Sequence, residues 1–106
     1  MVDSMLVTAL SERVNRLTEH LLEALFATAE KRLCRRLHEL TNTYIVPGVG
    51  GPISIPLTQE ELASLAGTSR PTVNRVLQDL VQADIVVVRR GSVEVLDDAR
   101  LKGRCL

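Results

Sequence analysis

Residues 57–77 read LTQEELASLAGTSRPTVNRVL. Thr58 is followed three residues later by Glu61, the spacing of a capping box that opens a helix. Leu62, Leu65 and Ala66 supply the apolar face of that helix. Gly67 stands just past it, where helices end in left-handed backbone. Ser69 then caps a second helix, and Pro71 falls in its first turn, where a missing N–H is harmless. Val73, Val76, Leu77 and Leu80 recur at helical spacing and predict a buried face, with the helix running to Gln82 or Ala83. The opposite face is Arg70, Pro71, Asn74, Arg75 and Gln78. Ala63 is small where the first helix must let the second cross, and Gly67 carries the chain through the sharp turn. Two helices so joined are a helix-turn-helix.

Downstream, residues 84–98 read DIVVVRRGSVEVLDD. Ile85–Val88 is β-branched, Arg90-Gly91-Ser92 is a turn, and Val93–Leu96 brackets an acidic residue with apolar ones, which predicts a hairpin. Asp97–Lys102 has the acidic start and basic end of a final helical turn. Upstream, residues 41–56 are TNTYIVPGVGGPISIP, whose glycines and prolines exclude helix, with Ile53–Ile55 as a short strand.

Residues 4–40 carry no Gly or Pro and predict a long helix. Val7, Leu10, Val14, Leu17, Leu21 and Ala24 are spaced 3-4-3-4-3, the a/d seam of a two-stranded coiled coil. Leu22, Leu25, Phe26, Ala29, Leu33, Leu37 and Leu40 form a second stripe of different phase. Two stripes imply two partners: a second copy of the chain on the first, the following domain on the second. The changeover at Phe26–Thr28 is open to two readings, a bend or a break with Thr28 as N-cap. The expected organisation is a dimerisation helix over 1–27 and a winged helix-turn-helix over 28–106. The fold class is mainly α with a small β-hairpin wing.

The chain has 106 residues, net charge zero, no Trp, one Tyr and one Phe. Its core must be aliphatic, and it lacks the aromatic platform on which single-stranded bases stack. Cys34 and Cys105 form no CxxC pair, and His20 and His38 are not spaced to complete a metal site with them. Cys34 lies on the Leu-rich stripe and reads as a buried thiol. No paired-carboxylate, Ser-His-Asp or phosphate-loop pattern is present, so an enzyme is not expected. No secretory signal or run of about 20 apolar residues appears, so a cytoplasmic protein without membrane contact is expected.

The polar face of the second helix suits DNA. Such a helix enters the major groove with its N-terminal residues against base edges. Arginine reads guanine through a bidentate pair, and Asn or Gln reads adenine. Arg70, Asn74, Arg75 and Gln78 are therefore base-reading candidates. Thr58, Ser69 and Thr72 sit at helix N-termini, where phosphate binds. Arg89 and Arg90 flank the hairpin turn, within reach of the DNA backbone. Lys31, Arg32, Arg35 and Arg36 form a further basic cluster, equally readable as a solvated face. The alternative function is a winged helix that docks protein, with the long helix as its interaction element.

The stretch LTQEELASLAGTSRPTVNRVLQDLVQADIV resembles the DNA-binding domain of the cyclic-AMP-receptor/FNR (Crp/Fnr) family of bacterial transcription regulators. The resemblance is strongest over Ile53–Leu96. It implies that Arg70 and Arg75 match two base-contacting arginines and Thr58 a phosphate-contacting threonine. It also implies a homodimer joined through the long helix, a near-palindromic DNA site, and RNA polymerase as a further partner. Many members carry a Glu that helps read a cytosine where this chain has Pro71, so an altered half-site is expected. The family's sensor domain would precede the long helix. The sequence is thus expected to be a fragment of a longer regulator, with a naturally truncated regulator as the less favoured alternative, and to hold no cofactor in this portion.

Overall fold

The computed structural model describes residues 4–105, so the ends of the two expected units, residues 1–3 and 106, lie outside the described residues. Helix α1 spans Ser4–Tyr44, followed by strand β1 (Ile53–Ile55), helices α2 (Gln59–Ala66) and α3 (Arg70–Gln82), strands β2 (Val86–Arg89) and β3 (Ser92–Val95), and helix α4 (Asp98–Gly103). The fold is a winged helix-turn-helix behind a long N-terminal helix. The long helix draws the molecule out to 75 × 23 × 19 Å. No described helix is long and apolar enough to cross a membrane.

Helix α1 is unbroken through Phe26–Thr28. The Thr28 hydroxyl does not cap a new helix; it donates to the Ala24 carbonyl 2.9 Å away, one turn back along the same helix. The helix also runs through Thr41–Tyr44, beyond the stop expected from the glycines and prolines that follow. Thr41 is buried there, and its hydroxyl donates to the His38 carbonyl at 2.6 Å. A neighbouring 2.7 Å contact between His38 Nδ1 and Asp98 Oδ1 ties α1 to α4.

The sheet has strand order β1-β3-β2, all antiparallel. Ile53 and Val86 both face Val95, and Ile55 and Val88 both face Val93, so the hairpin gains a third strand from upstream. Ile55, Val86, Val93 and Val95 turn inward against Leu33, Leu37, Leu62, Val73, Val76, Leu77 and Leu80, a core without an aromatic ring. Cys34 is part of it. Leu65, expected on the apolar face of α2, is 46 % exposed, because α1 and α3 approach α2 on the side of Leu62, Ala63 and Ala66.

Both helices of the motif end in the same device. The Thr68 N–H bonds the Ala63 carbonyl at 2.9 Å and the Gly67 N–H bonds Ser64 at 3.3 Å. The Ile85 N–H bonds Leu80 and the Asp84 N–H bonds Val81, each at 3.0 Å. These pairs satisfy the last carbonyls of each helix and need left-handed backbone at the first residue beyond the cap. Gly67 supplies it with φ 65° and Asp84 with φ 58°.

Candidate nucleic-acid interface

Helix α2 begins as its capping box requires. Thr58 Oγ1 accepts from the Glu61 N–H at 3.2 Å, and Glu61 Oε1 accepts from the Thr58 N–H at 3.1 Å. With Oγ1 serving as acceptor, the hydroxyl proton remains to donate outward. At the start of α3, Ser69 Oγ accepts from the Thr72 N–H at 3.3 Å and lies 2.9 Å from the Thr72 hydroxyl. Both helix N-termini therefore present a hydroxyl beside the positive end of a helix dipole.

Val73, Val76, Leu77 and Leu80 of α3 are fully buried, whereas Arg70, Asn74, Arg75 and Gln78 are exposed. The expected site residues divide between two grooves. One, of about 360 Å³, lies between the start of α2 and the wing; Thr58, Arg70, Arg89 and Arg90 line it. The other, of about 530 Å³, lies between α1 and the first half of α3; Thr72 and Arg75 line it with Leu22, Leu25 and Phe26. Ser69, Asn74 and Gln78 line neither.

Three of the arginines have intramolecular partners absent from the sequence-level picture. Arg70 Nη1 lies 3.5 Å from Glu60 Oε1, and Arg89 Nε donates to Glu94 Oε1 at 2.7 Å. The Arg75 guanidinium stacks 4.1 Å from the centroid of the Phe26 ring. The Glu94 pairing had a sequence signal: an acidic residue near an arginine across a short hairpin is a diagonal neighbour. The Phe26 contact had none, since it depends on how α1 crosses α3.

The basic cluster on α1 is partly structural. Arg32 Nε donates to the Ala66 carbonyl at 2.9 Å and Nη2 to the Gly67 carbonyl at 3.3 Å, at the C-terminus of α2. Arg36 pairs with Glu39 at 3.1 Å. The coiled-coil seam has the opposite character: Val7, Leu10, Val14, Leu17 and Leu21 are 50–64 % exposed, and Ala24 is exposed with them. Among the described residues, none of the groups of His, Cys, Asp and Glu could hold a metal ion.

Comparison with known proteins agrees with this architecture. Residues 31–104 match the model of the Crp-like helix-turn-helix domain. A CRP-like cAMP-activated global transcriptional regulator of Mycobacterium tuberculosis is 30 % identical over 105 residues, covering 97 % of this chain and 46 % of that protein. The cyclic AMP receptor protein of Thermus thermophilus is 46 % identical over 52 residues, covering 49 % of this chain and 24 % of that protein. The crystal structure of the Thermus thermophilus catabolite activator protein superposes with a TM-score of 0.75 at 33 % identity, covering 94 % of this chain and 44 % of that one. The reduced CO-sensing protein from R. rubrum, at 22 % identity and a TM-score of 0.73, shares the fold. The chain spans about half the length of the full-coverage relative or less. By its sequence and its fold, it belongs to the Crp-like helix-turn-helix family of transcription regulators.

Proposed function

We propose that the chain is the DNA-reading part of a transcription regulator that binds a near-palindromic duplex as a homodimer. The observation that carries this reading is the division of α3 into a buried apolar face and an exposed face of Arg70, Asn74, Arg75 and Gln78. These four read base edges. Thr58, Ser69 and Thr72 hold phosphates at the helix N-termini, and Arg89 and Arg90 reach the backbone from the wing. With zero net charge, the chain depends on placed contacts more than on general attraction to phosphate.

The dimer is supported by the exposed seam from Val7 to Ala24. Eight large apolar residues from Leu6 to Leu25 are at least half exposed on α1. Pairing two such seams removes them from water and sets two recognition helices about one DNA turn, ~34 Å, apart. The regulator works in the cytoplasm, carries out no catalysis, holds no cofactor in this portion and has RNA polymerase as a further partner. Pro71 accepts no hydrogen bond at a base, so the half-site differs from that of relatives with Glu at this position.

Selection from a random duplex pool, at low salt and high protein concentration, tests the reading. The expected product is an enriched inverted repeat; a pool without one overturns the proposal. On the selected site, Arg75→Ala is expected to cost about 1–3 kcal/mol and to relax one base position. Equal weakening on all sequences would instead make Arg75 a phosphate contact.

A further inference from the structure

The contact between Arg75 and Phe26 joins the base-reading face to the long helix. Arg32 pins α1 to the turn just ahead of α3 through the Ala66 and Gly67 carbonyls. Phe26 lies six residues earlier on the same helix, about 9 Å along its axis. It is half-buried, and its ring carries the Arg75 guanidinium 4.1 Å from the centroid.

The kind of residue at position 26 is informative. The core is aliphatic, and this is the one Phe of the chain. A leucine would fill the apolar side of the groove as well, beside Leu22 and Leu25. Only an aromatic face also attracts a cation, through the negative charge density of its π system.

The two roles of Arg75 exclude each other. A base-reading arginine extends away from its helix into the major groove and spends its N–H groups on a base edge. On Phe26 the same guanidinium lies sideways against α1. Arg70 is held by the exposed carboxylate of Glu60 and the exposed Arg89 by the half-buried Glu94, ion pairs that a solvated guanidinium leaves at little cost. Arg75 is the one of the three whose partner is an aromatic ring on α1, the helix that Arg32 ties to the turn before α3.

We propose that Phe26 is a positioning residue for Arg75: it parks the guanidinium against α1, and duplex DNA must take it from the ring to read a base. This rests on the reading of α3 as a DNA-reading helix. Phe26 thereby lowers the affinity of the whole chain for its site and makes that affinity depend on how α1 sits against α3.

The test uses the 106-residue chain and the inverted repeat recovered by selection. Phe26→Leu is expected to tighten binding about two- to five-fold per half-site, the worth of an exposed cation–π contact. The same substitution in an Arg75→Ala background is expected to change nothing, because the competition is then already gone. Phe26→Tyr keeps the ring and is expected to bind like the parent. In the parent chain, the Arg75 Nε–H resonance is expected to carry an upfield ring shift that disappears when the duplex is added, a readout that needs no variant. The proposal is overturned by unchanged or weaker binding in Phe26→Leu, by an equal gain without Arg75, or by a ring shift that survives DNA binding. A selection that enriches no duplex for the parent chain defeats the DNA reading itself, and this proposal with it.

Discussion

The two halves of α1 are alike in composition and opposite in circumstance. Leu33 and Leu37 are 0 % exposed, while Leu17 and Leu21 on the same helix are 64 % and 60 % exposed. The transition comes at Phe26–Ala29, where α1 meets α3 and the turn before it. The second half is a wall of the domain core. The first half is an apolar surface with no element of the chain packed on it among the described residues. A leucine stripe thus shows that something is to be covered, and only the tertiary arrangement shows whether the chain covers it.

The largest effect expected from breaking this contrast is a paired substitution. Leu37→Ala removes a fully buried side chain and is expected to cost about 2–5 kcal/mol of domain stability. Leu17→Ala at low protein concentration is expected to fall within about 0.5 kcal/mol of the parent, as surface changes do. Urea unfolding at several protein concentrations checks both. Leu17→Ala should also weaken the proposed dimer, read by sedimentation. A similar stability loss from both substitutions in dilute protein would mean the first half is packed within the chain after all.

The same contrast explains what could be read beforehand. The alternation of caps and apolar positions from Thr58 to Leu80 is local, and local spacing specified α2, α3 and the buried face of α3, while on α2 it placed Leu65 inward where the structure leaves it exposed. The two stripes of α1 were visible too, but their contacts were not. Leu22 and Leu25 belong to the inward stripe by phase and yet remain exposed, because the domain does not extend that far along the helix. The pairing of Ile53–Ile55 with β3 is a long-range contact that no local pattern encodes. Gly67 announced its left-handed turn, whereas Asp84 adopts nearly the same φ without a glycine to mark it. Within the site, the exposed polar face followed from helical periodicity. The partners Glu60 and Phe26 required the crossing angles, whereas Glu94 is a diagonal neighbour of Arg89 within the hairpin.

A smaller effect separates the arginines of the two halves. Arg32 gives two hydrogen bonds to the carbonyls that end α2. Charged donors make strong bonds, but this side chain belongs to an exposed residue, so Arg32→Ala is expected to cost only about 1 kcal/mol. Arg13→Ala, on the unpacked half, is expected to stay within about 0.5 kcal/mol of the parent. Denaturant midpoints of the two variants check this. Equal costs would make the Arg32 bonds energetically idle and leave α1 held to the domain by its leucines alone.

The smallest expected effect is a pH dependence that only the packed half can produce. Burial, with help from nearby Cys105 and Glu30 and opposed by Arg104, pushes the Cys34 thiol from an ordinary 9.0 up to about 12. Between these values the unfolded chain has released the proton and the folded chain keeps it, so rising pH favours unfolding. The contribution is fully present below pH 9 and is lost as pH rises towards 12. Burial raises the Cys105 thiol as well, so the comparison belongs in a Cys105→Ser background. There, moving from pH 7.5 to pH 9 is expected to cost the chain with Cys34 about half a kcal/mol more than its Cys34→Ala counterpart. Groups titrating elsewhere are common to both chains and cancel in the difference. Parallel stability curves would show that water reaches Cys34 through an opening of α1 against the core, and the packed half of the helix would then be less unlike the bare half than its burial indicates.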